Sequence, residues 1–261
     1  MAVPTVAACQ TAIDDLDVAA NLARIRNRVA DLPSEVDVAV FPEYTVTGFI
    51  PDERVHDRAI ARDGAAIERL RAFATEADCA LVVGFVERDD GFYNASAYVE
   101  PDAVTVYRKR HLWGAERSLL SPGVERVVVE TPVGRAGLLT CYDLNFVEES
   151  AAFARRNVDA LFVVGAWPAA HAENWRLLLR ARALDGVRWV VGAGRTGRRD
   201  VTDAPTAEYA GRSCIVSPDG SVAAELDRGS TDCIRPLDPT SVTDHRSIVF
   251  PDRTELENNF F

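Results

Sequence analysis

Short valine-rich apolar runs alternate with amphipathic segments along the entire chain, and this alternation constrains the fold more than any other feature. The runs at 36–41, 80–86 and 158–164 place apolar side chains at nearly successive positions. Strands built from them bury both faces, as happens when helices or a second sheet cover each side. Between the runs, Val18, Leu22, Ile25 and Val29 step by four, three and four, and Ile67, Leu70, Ala74 and Ala77 by three, four and three. Each set therefore shares one helix face. Further strands are predicted at 3–10, 95–99, 104–107, 127–130, 135–141, 187–193 and 214–217, and helices at 146–157 and 172–184. The pattern is that of an α/β layered fold in one domain, residues 1–261, with no repeat, linker or low-complexity tract. Residues 227–261, broken by Pro236, Pro239 and Pro251, are expected to form a C-terminal extension that wraps a neighbouring surface through the terminal Asn-Asn-Phe-Phe.

Composition narrows the function. The formal net charge is −11, and a negative surface repels phosphate backbones, which argues against nucleic-acid partners. No run approaches the roughly 20 apolar residues of a membrane span, and the N-terminus lacks the form of a secretory leader. Five scattered cysteines, an odd number, fit free thiols in a reducing cytoplasm. Among the 29 basic residues the only lysine is Lys109. An accidental survivor of arginine-rich composition and a task suited to a compact ammonium both account for it. The acidic, lysine-poor composition also resembles that of proteins adapted to high salt.

Three strand ends carry chemistry. The run at 36–41 leads straight into Pro42 and Glu43, the run at 104–107 into Arg108, Lys109 and Arg110, and the run at 135–140 into Cys141, Tyr142 and Asp143. Strand ends are where loops commonly build sites. Taken singly, Glu43 reads as an exposed loop acid, Arg108 and Arg110 as a solvated basic patch and Cys141 as a buried inert thiol. A polar strand-to-helix turn is an unusual place for an inert thiol, because such a turn exposes a nucleophile.

Taken together, these segments resemble the nitrilase, or carbon–nitrogen hydrolase, superfamily. Its members carry a glutamate in a Pro-Glu context, a lysine in Tyr-Arg-Lys-x-His-Leu and a cysteine in Cys-Tyr/Phe-Asp, all matched here in order. The likeness extends to Gly84, Tyr93-Asn94, Ser121-Pro122-Gly123, Arg182-Ala183-Leu184-Asp185, the strand beginning at Trp189, Gly211-Arg212-Ser213 and Ser217-Pro218-Asp219-Gly220. It implies a four-layer α-β-β-α sandwich and a homodimer or higher homo-oligomer, contacting through the helices after Cys141 and near 172–184, with the C-terminal extension, residues 227–261, packing on the partner subunit. It also implies cofactor-independent hydrolysis, without a metal, of a small amide or carbamoylated amine by water. In that scheme Cys141 is the nucleophile and Glu43 the general base. Lys109 and the backbone N–H of Tyr142 form the oxyanion site, and Glu116 is a second carboxylate. Such chemistry needs a nucleophile, a proton carrier and positive charge where the oxyanion develops. Pocket residues are expected at Tyr44, Trp113, Tyr142, Asn145 and Trp167. Asn145 and Val147 depart from the family's frequent arginine and proline, which makes negatively charged substrates less attractive unless another arginine compensates.

Rival readings are poorly supported by the residues. A papain-like enzyme would pair Cys141 with His56, His111, His171 or His245, none in a matching context. No short His/Cys ligand pair suggests a metal. A nitrilase acting on C≡N and a non-catalytic binding protein on the same fold remain the alternatives.

Overall fold

The computed structural model describes residues 3–250. Its first half runs β1 (Thr5–Gln10), α1 (Val18–Ala30), β2 (Val36–Val40), α2 (Ala65–Ala77), β3 (Ala80–Arg88), β4 (Phe92–Val99), β5 (Val104–Arg108) and a short α3 (Glu116–Leu119). Its second half runs β6 (Val128–Thr131), β7 (Gly134–Thr140), α4 (Val147–Arg155), β8 (Ala160–Gly165), α5 (Ala172–Leu184), β9 (Trp189–Gly194), the two-residue strands β10 (Arg198–Arg199) and β11 (Ala207–Glu208), β12 (Cys214–Val216), β13 (Val222–Glu225), β14 (Thr231–Pro236) and α6 (Pro239–Val249).

Two six-stranded sheets result, ordered β14-β1-β2-β3-β4-β5 and β13-β12-β9-β8-β7-β6. Each has three parallel central strands, β1-β2-β3 and β7-β8-β9, flanked by antiparallel ones. Strand alternation explains the layering, since successive side chains point to opposite faces. Val6, Ala8, Val38 and Val40 from one sheet meet Leu138, Phe162, Val164 and Val191 from the other in a central core. Their in-between neighbours Ala7, Cys9, Ala39 and Leu81 face α1 and α2 through Leu22, Ile25, Ile67 and Leu70. On the far side, Leu139, Leu161, Val163 and Val190 face Phe153 of α4 and Trp175 and Leu179 of α5. These three cores make the α-β-β-α sandwich and account for strands that are apolar on both faces.

Within the expected C-terminal extension, the described residues pack on their own chain. β14 pairs antiparallel with β1 from Thr5↔Pro236 to Gln10↔Thr231, and Val242 of α6 joins the central core. Residues 231–249 thus close this chain's own sandwich. With partly exposed polar residues on an edge strand, residues 231–236 lack the continuous apolar signature of the buried strands. The terminal Asn-Asn-Phe-Phe lies outside the described residues. All five cysteines are free and buried.

Candidate active site

Glu43 follows β2 on a tight loop that packs against β3 at Gly84. A Cβ on Gly84 would stand 2.5 Å from the Tyr44 nitrogen and 2.6 Å from the Glu43 Cα, closer than atoms can approach, so only glycine admits the loop here. Tyr44, the next residue, has a positive φ of 62°, and Cys141 has one of 50°. Left-handed backbone is disfavoured for non-glycine residues and concentrates at functional sites. Cys141 opens a 3-10 turn, Cys141–Asn145, immediately after β7, so the turn lifts its side chain out of the sheet. Lys109 is the first residue past β5, its N–H donating to Asn94 O at 2.7 Å.

These three elements converge. Lys109 is 1% exposed and Glu43 is 1% exposed. Lys109 Nζ donates to Glu43 Oε1 at 2.8 Å and to Glu116 Oε1 at 2.9 Å. Asn94 Nδ2 lies 2.7 Å from Glu43 Oε1 and 2.8 Å from both Glu116 Oε1 and the Tyr44 hydroxyl. The Tyr44 hydroxyl donates to Glu116. The Ala166 N–H donates to Glu43 Oε2 and the Trp113 N–H to Glu116 Oε2, each at 2.8 Å. Both carboxylates are therefore held on both oxygens. Burial alone would push the Lys109 ammonium down, yet Glu116 and Glu43 outweigh it and hold it well above its ordinary pKa. The Cys141 thiol moves up as well, through burial and then the Glu43 charge, against the opposing pull of Lys109. At neutral pH Cys141 is thus held as the thiol.

A second framework braces the Cys141 turn against the lysine strand. Asp143 Oδ2 accepts from the Tyr107 hydroxyl at 2.6 Å and from the Thr140 N–H at 3.0 Å, and Oδ1 accepts from the His111 N–H at 3.0 Å. Arg108 and Arg110, read from sequence as a solvated patch, instead pair with the buried carboxylates of Glu87 and Glu149. Desolvating those carboxylates demands a partner, which the flanking arginines supply.

Glu43, Lys109, Glu116 and Cys141 all line one cavity of about 760 Å³, together with Tyr44, Trp113, Tyr142, Asn145 and Trp167. All nine expected site residues are therefore brought together, although Trp113 is 50% exposed and Tyr44 serves mainly to hold Glu116. Two further walls are Phe49 and Tyr209. Phe49 stacks on Tyr44 at 4.6 Å between ring centroids, and its N–H donates to Asp15 Oδ1 at 2.9 Å. Asp15 in turn takes a two-pronged contact from Arg195, at 2.9 and 2.6 Å, and the guanidinium lies 3.9 Å from the Tyr209 ring centroid. One buried ion pair thus supports two aromatic walls of the cavity. Asn94, Asp15 and Arg195 carry no role in the sequence reading. Asn94 alone left a trace there, within the Tyr93-Asn94 landmark of the family resemblance.

The carbon–nitrogen hydrolase pattern matches residues 5–246. The chain belongs to the carbon–nitrogen hydrolase family. This hydrolase is 33% identical over 231 residues to an (R)-stereoselective amidase of a Pseudomonas species, covering 88% of this chain and 83% of that one. It is also 33% identical to an omega-amidase of Yersinia enterocolitica, covering 82% and 81%. Its fold is similar to a CN-hydrolase superfamily protein of Xanthomonas campestris, with a TM-score of 0.87 at 26% identity over 100% of this chain and 99% of that one. Nit3 of Saccharomyces cerevisiae, from the nitrilase superfamily, gives 0.86 at 26% identity over 96% of each chain. The shared architecture is the α-β-β-α sandwich, and the chain is a carbon–nitrogen hydrolase.

Proposed function

We propose that this hydrolase is an amidase that cleaves the C–N bond of a small carboxamide or carbamoylated amine through a thioester on Cys141. The reading rests on one observation: a single buried ammonium bridging two buried carboxylates, in the cavity that a strained-turn cysteine also lines. The amidase names of the relatives favour amides over nitriles.

In the proposed cycle the Cys141 sulfur bonds to the carbonyl carbon while Glu43 takes the thiol proton. The carbonyl oxygen gains negative charge, which the Lys109 ammonium and the Tyr142 N–H stabilise. Tyr142 is the second residue of its 3-10 turn, where the backbone N–H has no partner within the turn. Collapse breaks the C–N bond, and Glu43 returns the proton to the departing ammonia or amine. Water then attacks the thioester carbon while Glu43 accepts its proton, the C–S bond breaks with that proton returning to the Cys141 sulfur, and the acid departs. Lys109 holds Glu43 in place, while Glu116, held by Tyr44 and Trp113, keeps Lys109 between the two acids. Preorganised donors of this kind contribute several kcal/mol to a barrier.

Ammonia release from a panel of carboxamides, carbamoyl compounds and nitriles tests the proposal. Turnover of amides is expected, with loss of at least about 1,000-fold in Cys141→Ala at unchanged melting temperature. Retained activity in Cys141→Ala, or turnover of nitriles alone, would overturn it.

A further inference from the structure

Tyr209 is a buried wall of the reaction cavity whose hydroxyl is uncommitted. The polar groups at the chemistry are spent on one another, Lys109 on Glu43 and Glu116, and Tyr44 on Glu116. The Trp167 indole N–H, on another wall, is sealed from solvent. Thr206 and Glu208 line the same cavity as exposed residues. Tyr209 is 8% exposed, yet its hydroxyl makes no hydrogen bond among the described residues and is not sealed off. The charge of Glu43 reaches it, as do those of Arg195 and Asp15.

Backbone and ring contacts both fix this side chain. Tyr209 follows β11, its N–H donating to Gly197 O at 3.0 Å, and it forms an antiparallel bridge with Pro168. The Arg195 guanidinium lies 3.9 Å from the ring centroid. Asp15 engages that guanidinium at 2.9 and 2.6 Å, and both members of the pair are 1% exposed. The charge of Arg195 is therefore matched within the wall, which leaves a neutral group facing the cavity. A cation over the π face also draws electron density from the phenol and strengthens its O–H as a donor. Burial, foremost, raises the phenol's pKa against the opposing pull of Arg195, so the hydroxyl keeps its proton through the neutral range. Beside Phe49 and Trp167, such a donor loses its hydration when an alkyl chain covers it and regains a partner when an acceptor oxygen does. In a primary carboxamide the acyl chain is the part that can reach a second wall.

Building on the amidase reading, we infer that the substrate is a carboxamide with a neutral acceptor oxygen, a hydroxyl or an ether, in its acyl chain, and that the Tyr209 hydroxyl donates to that oxygen. Tyr209 is then a specificity-determining residue, with its ring held in place by Arg195.

The test compares kcat/KM on pairs of primary amides that differ by an ether oxygen in place of a methylene: methoxyacetamide with butanamide, 3-methoxypropanamide with pentanamide, and 4-methoxybutanamide with hexanamide. The wild-type protein is expected to favour the ether in at least one pair by about threefold or more. Tyr209→Phe keeps the ring beneath the guanidinium. It is expected to lose about tenfold on that ether while staying within about twofold on the alkyl partner, at unchanged melting temperature. Equal losses on both would make Tyr209 a mere wall and overturn the inference, as would no loss on either. Wild-type turnover of the alkyl amides with no ether favoured in any pair would overturn the inference and leave the amidase reading standing. Turnover of none of the six by the folded protein would overturn both.

Discussion

Replacing Lys109 with methionine removes the one cation between Glu43 and Glu116 and keeps most of the apolar stem. Both carboxylates contact the same nitrogen, at 2.8 and 2.9 Å, and are almost completely buried. Without the ammonium they become adjacent like charges in a dry site, and one must bind a proton. Protonating a carboxyl of ordinary pKa about 4.3 costs about 1.4 kcal/mol for each pH unit above that value. The penalty is therefore roughly 5 kcal/mol at pH 8 and roughly 1 kcal/mol at pH 5. The sign follows from linkage: the folded variant keeps a proton that the unfolded chain has released, so stability declines as pH rises above the unfolded carboxyl pKa. For a chain of this size 1 kcal/mol shifts the melting temperature by roughly 2 °C. Thermal melts of Lys109→Met and wild type should thus differ by about 10 °C at pH 8 and about 2 °C at pH 5. A gap that stays constant across this range would refute the buried two-acid, one-base arrangement.

Two further outcomes follow from local geometry and burial. Gly84→Ala would drive a methyl into the backbone of Pro42, Glu43 and Tyr44, with contacts of 2.5 to 2.7 Å. It should cut kcat/KM by roughly 100-fold by displacing Glu43, measured beside a thermal melt to separate loss of geometry from loss of fold. Burial, foremost, pushes the Cys79 and Cys214 thiols up to about 12 and the Cys233 thiol up to about 11. Unfolded thiols ionise near about 8.5, so the stabilisation from burying them neutral is complete below that pH and is lost as pH climbs toward 11 to 12. Urea titrations should show stability falling steeply above pH 9, with a shallower fall in Cys214→Ala. Identical slopes would count against the thiol assignment.

The two-sided burial of the central strands was visible in their unbroken apolar runs, and the three strand ends bearing Glu43, Lys109 and Cys141 were visible for the same reason. A polar residue directly after such a run has few bland explanations once three of them match one family. Contacts made across long sequence separations left no such mark. Asp15 and Arg195 are 180 residues apart, and each alone reads as an ordinary surface charge. The Ala166 N–H that fixes Glu43 has no side-chain signature at all. Arg108 and Arg110 looked solvated because their partners, Glu87 and Glu149, come from elsewhere in the chain. Residues 231–249 read as a loose extension because an edge strand and a terminal helix bury only one face each, which dilutes their pattern.

A stalled reaction intermediate offers the most direct test of the chemistry. Wild-type protein mixed with a good amide substrate, quenched in acid within the first turnovers and weighed intact, should gain the mass of the acyl group less one hydrogen. The gain should map to the peptide containing Cys141 and vanish in Cys141→Ala. Steady ammonia release with Cys141 unmodified under the same quench, and with Cys141→Ala still turning over, would contradict covalent catalysis at this cysteine.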